Sequence, residues 1–299
     1  MGMMQDKVVA ITGGGRGIGR EVALMMAAEG AKVMVNDLGT GLHGEGADQG
    51  PASEVAAEIQ AAGGTAGFNT NDISSKEGAE NLVAAAVNEF GSIDAVVNNA
   101  GILRDTIFHK MEEADWNAVI NVNLNGCYNV ARAAAPYFKE QELGVFVHMT
   151  SVSGLIGNFG QANYASAKMG VAGLSRSIAI DMAHYNVRSN CVSPSGFTRM
   201  IGSIPITSDE QAKEFELLKE KLKPEMNAPL VVFLASDHAK NITGQIFATS
   251  GNNYYLMSQP RPVVSEFRDG WTPQLVADEF LGEIEDELTP LETLNDVLD

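Results

Sequence analysis

Tyr164 and Lys168 stand four residues apart in Ala162–Ala183, a stretch whose apolar periodicity predicts a helix, so the phenol and the ammonium share one helix face. A free tyrosine ionises near pH 10, and an ammonium one turn away favours the phenolate, bringing the phenol toward a working pH at which it can trade a proton with an alcohol or a carbonyl. Lys168 is then the tuning group and Tyr164 the acid-base group. Ser151 ends a strand pattern 13 residues before the tyrosine, where its hydroxyl can hold the reacting oxygen; Ser153 is its rival. Asn123 lies in a helical pattern although asparagine is a poor helix former, and it is expected to bend that helix around a water and link Lys168 to solvent. A lone Tyr-x-x-x-Lys occurs on many surface helices, so this reading depends on its company.

That company includes Thr12-Gly13-Gly14-Gly15-Arg16-Gly17-Ile18-Gly19, which follows the first strand pattern and opens the first helix. Its glycines permit tight turning and close approach of backbone to a pyrophosphate, whose charge the helix N-terminus favours. Asp37 ends the second strand pattern 18 residues past Gly19, where a carboxylate accepts hydrogen bonds from both hydroxyls of an adenosine ribose and repels a 2′-phosphate. NAD is therefore expected over NADP. Arg16 could approach a 2′-phosphate, but a carboxylate beside a phosphate dianion costs more than an idle arginine does.

The elements that must position these groups alternate. Strand patterns at Lys7–Thr12, Lys32–Asn36, Thr65–Asn69, Ala95–Asn98, Gly144–Thr150, Val187–Ser193 and Gln245–Ala248 are separated by helical ones at Gly17–Glu29, Ser53–Ala62, Lys76–Phe90, Glu112–Glu140, Ala162–Ala183 and Asp209–Leu222. Repeated βα units predict an α/β fold, a single doubly wound parallel sheet of Rossmann type with helices on both faces. The dinucleotide domain is expected over residues 1–257, and an acidic helical extension over 258–299. Gly39–Pro51, rich in glycine, reads as a mobile excursion. In the extension Trp271, Leu275, Phe280, Ile284, Leu288 and Leu291 recur at roughly helical spacing among acids, and this stripe is expected to dock on a neighbouring subunit or beside the site mouth.

Composition narrows the function. The 299 residues are 45% hydrophobic with a formal charge of −18, so neither disorder nor binding of nucleic acid or an anionic membrane suits the chain. Two cysteines, Cys127 and Cys191, suggest a reducing compartment and neither a disulfide framework nor a metal site. No export signal or membrane-spanning run is found, so a cytoplasmic location is expected.

Taken together these residues resemble the short-chain dehydrogenase/reductase superfamily from about Lys7 to Gly251. Thr12-Gly-x-x-x-Gly-x-Gly19, Asp72, Asn98-Asn-Ala-Gly101, Asn123, Ser151, Tyr164-x-x-x-Lys168 and the Pro194 to Thr198 turn fall in that family's order. The resemblance implies a catalytic tetrad of Asn123, Ser151, Tyr164 and Lys168. It puts Asp72 and Ile73 at the adenine, Asn99 on the ribose side, Ala100 and Gly101 also at the cofactor, and Pro194 and Thr198 by the nicotinamide. The sequence departs from the family where its usual Pro-Gly reads Pro194-Ser195-Gly196.

A closer likeness, in Val35-Asn-Asp-Leu-Gly39, Gly101-Ile-Leu-Arg-Asp105, Gly157-Asn-Phe-Gly-Gln-Ala-Asn-Tyr164, Lys223-Pro-Glu-Met226 and Ala228-Pro-Leu230, is to the dehydrogenase part of peroxisomal multifunctional enzyme type 2. It implies a (3R)-hydroxyacyl-CoA or hydroxysteroid substrate and a homo-oligomer, tetramer or dimer. A small cyclic or terpenoid alcohol is the alternative, and a non-enzymatic NAD sensor the rival from another class. Met200, Ile201, Ile204, Ile206, Phe215, Leu217 and Leu218 are an apolar lid candidate. Lys213, Lys219, Lys221 and Lys223 either meet CoA phosphates or form a solvated face.

Overall fold

Val- and Ile-rich runs of four to seven residues form the strands β1 (Val8–Thr12), β2 (Lys32–Asn36), β3 (Thr65–Asn69), β4 (Ala95–Asn98), β5 (Gly144–Met149), β6 (Val187–Ser193) and β7 (Ile246–Ser250), with β8 (Asn253–Leu256) after a tight turn. In the computed structural model, which describes residues 2–41, 43–196 and 209–297, they make one sheet ordered β3-β2-β1-β4-β5-β6-β7-β8. The first seven run parallel, as expected; β8 returns antiparallel along β7. The helices include α1 (Gly17–Ala28), α2 (Gly50–Ala61), α3 (Lys76–Phe90), α4 (Glu113–Ile120), α5 (Gly126–Glu140), α6 (Val152–Leu155), α7 (Ala162–Asp181), α8 (Asp209–Lys221) and α9 (Ala228–Ala235).

Both sheet faces are covered, and the period-two alternation of the strands feeds two cores. On one face Val9, Ile11, Val33, Val35, Val97 and Val147 pack with Met26 of α1, Ile59 of α2 and Leu234 of α9. On the other Val8, Ala10, Met34, Val96 and Phe146 pack with Leu82 of α3 and Phe138 of α5. The chain leaves β1 toward β2 and β3 and resumes on the opposite side at β4. The carboxyl ends of β1 and β4 therefore diverge into a crevice where an open α/β sheet takes its ligand.

Four features depart from the sequence reading. The helical stretch Glu112–Glu140 is interrupted at Asn121–Asn125 by a π turn, in which the Gly126 N–H donates to the Asn121 carbonyl. The eight-residue α9, apolar all round, and the edge strand β8 were not expected from periodicity. The glycine-rich insert, read as a mobile excursion, is tied to the body. Asp48 N–H donates to Leu38 O (3.0 Å), Arg16 Nη1 to Thr40 O (3.2 Å) and Arg104 Nε to His43 O (3.0 Å). Beyond β8 none of the described side chains of residues 258–297 is buried; Trp271 meets Phe280 edge-on, while Leu291 is fully exposed. The segment returns to the body near Glu292, whose carbonyl oxygen lies 3.5 Å from where a Gly157 Cβ would stand.

Candidate active site

At the β1–α1 junction Gly13 and Gly17 adopt φ of 62° and 53°, the left-handed region that glycine enters without strain. A Cβ on Gly13 would stand 2.8 Å from Ala100 Cα, and one on Gly19 2.1 Å from the Gly13 carbonyl oxygen. The turn thus closes only with these glycines. Arg16 occupies the N-cap of α1 without a capping side-chain bond, and the first turn carries no acid. The uncapped amides near Ile18 are what a bound phosphate satisfies. Asp37 accepts from Gly15 N–H (2.9 Å) and Gly39 N–H (2.7 Å), which leaves each oxygen further acceptor capacity at the end of β2. These residues fit a dinucleotide.

Asn99 locks this turn to β4. Its amide donates to the carbonyls of Thr12 (3.1 Å) and Gly13 (2.9 Å), and the Thr12 hydroxyl accepts from the N–H groups of Asn99 and Ala100. The Asn99 side chain is thereby engaged with protein. Asp72 turns its carboxylate onto Ser74 N–H (2.9 Å) at the start of α3, and Ile73 beside it is buried. Pro194 opens a turn clamped by Asn227, which accepts from Ser195 N–H and donates back to its carbonyl. Gly196 lies against Ile18. Thr198, Met200, Ile201, Ile204 and Ile206 lie outside the described residues, as does the Phe215 side chain. Lys219 pairs with Glu216 on α8, and Lys223, just past its end, pairs with Glu220, which favours the solvated-face reading.

On α7, Lys168 lies behind Tyr164, its Nζ 5.6 Å from the ring centroid and donating to the Met149 carbonyl of β5 (2.8 Å). The Tyr164 ring keeps some solvent contact, while its hydroxyl is enclosed and interacts with Ser151. Ser151 also caps α6, accepting from Ser153 N–H (3.2 Å), whereas Ser153 is buried in α6. The three groups therefore converge at the carboxyl edge of β5. Burial pushes the Tyr164 phenol up to about 12; the Ser151 hydroxyl opposes this and nearby Asp105 adds to it. Burial also pulls the Lys168 amine down to about 8. Here desolvation outweighs the simple ammonium effect expected from spacing.

Asn123 sits on the π turn, 1% exposed, and its side chain brackets Ile102: Oδ1 accepts Ile102 N–H (2.9 Å) and Nδ2 donates to Ile102 O (3.1 Å). The expected helix distortion is present; the side chain itself is spent on the loop after β4, beside Gly101. Beneath Lys168, His148 accepts at Nδ1 from Asn98 Nδ2 (3.1 Å) with Cys127 Sγ at the same distance, and burial holds this imidazole near 3 and the thiol up at about 12. Both cysteines are inert packing. Among the described residues no cluster of histidine, cysteine and acid could hold a metal.

Several residues at this edge were missed from sequence. Gln161 Nε2 donates to Asp105 Oδ2 (2.8 Å), Thr106 N–H to Gly160 O (2.9 Å) and Asn163 Nδ2 to Arg104 O (2.9 Å), joining the loop after β4 to the residues just before Tyr164. These contacts span more than fifty residues and have no local signature. A cavity of about 280 Å³ lined by Lys7, Asp94 and Arg188 opens at the amino ends of the strands, on the opposite side from this chemistry.

A family model described as Enoyl-(Acyl carrier protein) reductase matches residues 13–251. A Mycobacterium tuberculosis protein named as a short-chain type dehydrogenase/reductase is 47% identical over 234 residues, covering 78% of this chain and 79% of its own. Mouse peroxisomal multifunctional enzyme type 2 is 41% identical over 277 residues, 92% of this chain; the chain spans only 36% of that protein's length. Among solved structures, a short chain dehydrogenase from Mycobacterium avium superposes with a TM-score of 0.83 at 34% identity, covering 97% of this chain and 98% of its own. No described helix is long and apolar enough to cross a membrane.

Proposed function

The chain belongs to the short-chain dehydrogenase/reductase family and is an NAD(P)-dependent oxidoreductase acting on CH–OH groups; from that premise we propose that it interconverts the alcohol of a 3-hydroxyacyl thioester and the matching ketone with NAD. The observation that carries this reading is the convergence of the Tyr164 hydroxyl, Ser151 and Lys168 at the same carboxyl edge of the sheet as the uncapped start of α1. The dinucleotide, when bound, accepts or returns the hydride. Gly13, Gly17, Ile18 and Gly19 would hold its pyrophosphate through backbone, and Asp37 would take the adenosine ribose hydroxyls and disfavour a 2′-phosphate. Arg16 is turned away to the Thr40 carbonyl.

In oxidation Ser151 holds the substrate hydroxyl and Tyr164, acting as the phenolate, receives its proton. Lys168, anchored on Met149, supplies positive charge behind the phenol, and its depressed basicity lets it pass a proton on near neutral pH. Asn123 keeps the loop at Ile102 in register with this group. Thioester substrates are favoured by the likeness to the multifunctional enzymes and by the acyl carrier protein named in the family description. Phe108 and Phe159, 75% and 78% exposed on the two loops joined beside Tyr164, offer apolar surface for an acyl chain.

The test is a panel of (3R)-hydroxyacyl-CoAs, hydroxysteroids and monoterpenols supplied with NAD or NADP, followed by reduced-nucleotide absorbance. NADH formed fastest with the acyl-CoAs supports the reading; turnover confined to another alcohol class overturns its substrate.

A further inference from the structure

We propose that Asp105 is a positioning residue for the reaction at Tyr164: its carboxylate, gripped by Gln161 at the start of the tyrosine's own helix, supplies the negative charge against which the phenol must ionise. This rests on the reading of Tyr164 as the acid-base group. Three hydrogen bonds fix the arrangement. Gln161, 8% exposed and occupying the N-cap of α7, donates to Asp105 Oδ2 at 2.8 Å; Thr106 N–H and the Arg104 carbonyl bond Gly160 and Asn163 on either side. Asp105 is therefore held on Gln161, three residues before Tyr164, by a short interlocked pair of segments, and it bears electrostatically on the phenol.

The other charged groups around Asp105 leave that influence in place. Its neighbour Arg104 is committed to Asp115 (3.2 Å). His43 of the glycine-rich insert faces Asp105 and favours its ionised form. That imidazole donates from Nδ1 to the Leu103 carbonyl (2.9 Å). Lys168 lies over the Tyr164 ring and is committed to the Met149 carbonyl. Partial burial raises the Asp105 carboxyl from its ordinary value, with the Gln161 bond opposing the rise. An ionised Asp105 resists phenolate formation and so favours the protonated tyrosine that ketone reduction needs. Its outer edge is open to solvent, so its influence is screened and modest.

The experiment is a tyrosinate absorbance titration of the ligand-free chain, each protein measured against its own Tyr164→Phe counterpart so that one phenol is read. Asp105→Asn keeps the shape and an acceptor for Gln161; if it does not fold, Asp105→Ser takes its place. The expected result is a midpoint lower by about half a pH unit, with the gap narrowing as salt is added. An unchanged or higher midpoint overturns the proposal. Turnover retained in Tyr164→Phe is a separate failure, since it removes the acid-base role of Tyr164 whatever the titration gives.

Discussion

Asn123→Ala separates a structural from a merely local role for the π turn. Asn123 and Ile102 are 1% and 5% exposed, and truncation leaves the Ile102 N–H and C=O without the partners that now stand at 2.9 and 3.1 Å. Each buried backbone group left unpaired costs about 1–3 kcal/mol, and because the two share one partner the losses do not simply add, so about 3 kcal/mol is expected. For a chain of this size that is a fall in Tm of roughly 5–10 °C. Asn123→Asp sharpens the test. It retains an acceptor for the N–H but turns an oxygen toward the Ile102 carbonyl, so near neutral pH it is no more stable than the alanine variant. Desolvation raises the carboxyl of that variant above its unfolded value, so its stability is greatest at low pH, where the protonated acid donates to the carbonyl, and falls as pH rises through the folded value. Urea unfolding midpoints with m-values measure all three proteins. An alanine variant within about 0.5 kcal/mol of the parent refutes the reasoning.

Two further outcomes follow from the same geometry. Asp37→Ser loses the bonds to Gly15 and Gly39 together with the carboxylate, so calorimetry is expected to show NAD binding weakened about tenfold, while preference for NADP over NAD rises about a hundredfold. Stability has its own pH signature. Lys168 falls from 10.5 to about 8 on folding, so below 8 its full desolvation cost is present, and stability rises between about 8 and 10.5 as the unfolded chain holds the extra proton. Tyr164 goes from 10.0 to about 12, so the folded chain holds more protons there and stability falls above 10. In denaturation across this range Lys168→Met should erase the rise and Tyr164→Phe the fall.

The elements that repeat were legible in the sequence because they bury one face at a regular period. The helices of Tyr164 and Asn123 are of this kind, while the seven parallel strands, mostly buried on both faces, were legible as short runs rich in Val, Ile and Ala set between them. The glycine turn was legible because no other residue closes it. What escaped has physical reasons. The segment Ala228–Ala235 is apolar all round, so it carries no period, and Asn253–Leu256 is too short and too exposed to show one. The glycine-rich insert looked free because its anchors, Leu103 and Arg104, lie some sixty residues away. Asp105 was quoted only as part of a resemblance; its closeness to Tyr164 depends on a buried glutamine that spacing does not reveal. At Tyr164, likewise, spacing shows the ammonium but not the burial that raises the phenol and lowers the amine.

The most direct test is Tyr164→Phe assayed for turnover and for NADH binding by fluorescence. Loss of the phenol with Ser151, Lys168 and the glycine turn intact is expected to cut turnover by several orders of magnitude while leaving the nucleotide dissociation constant within about threefold of the parent. Turnover within tenfold of the parent would contradict the account.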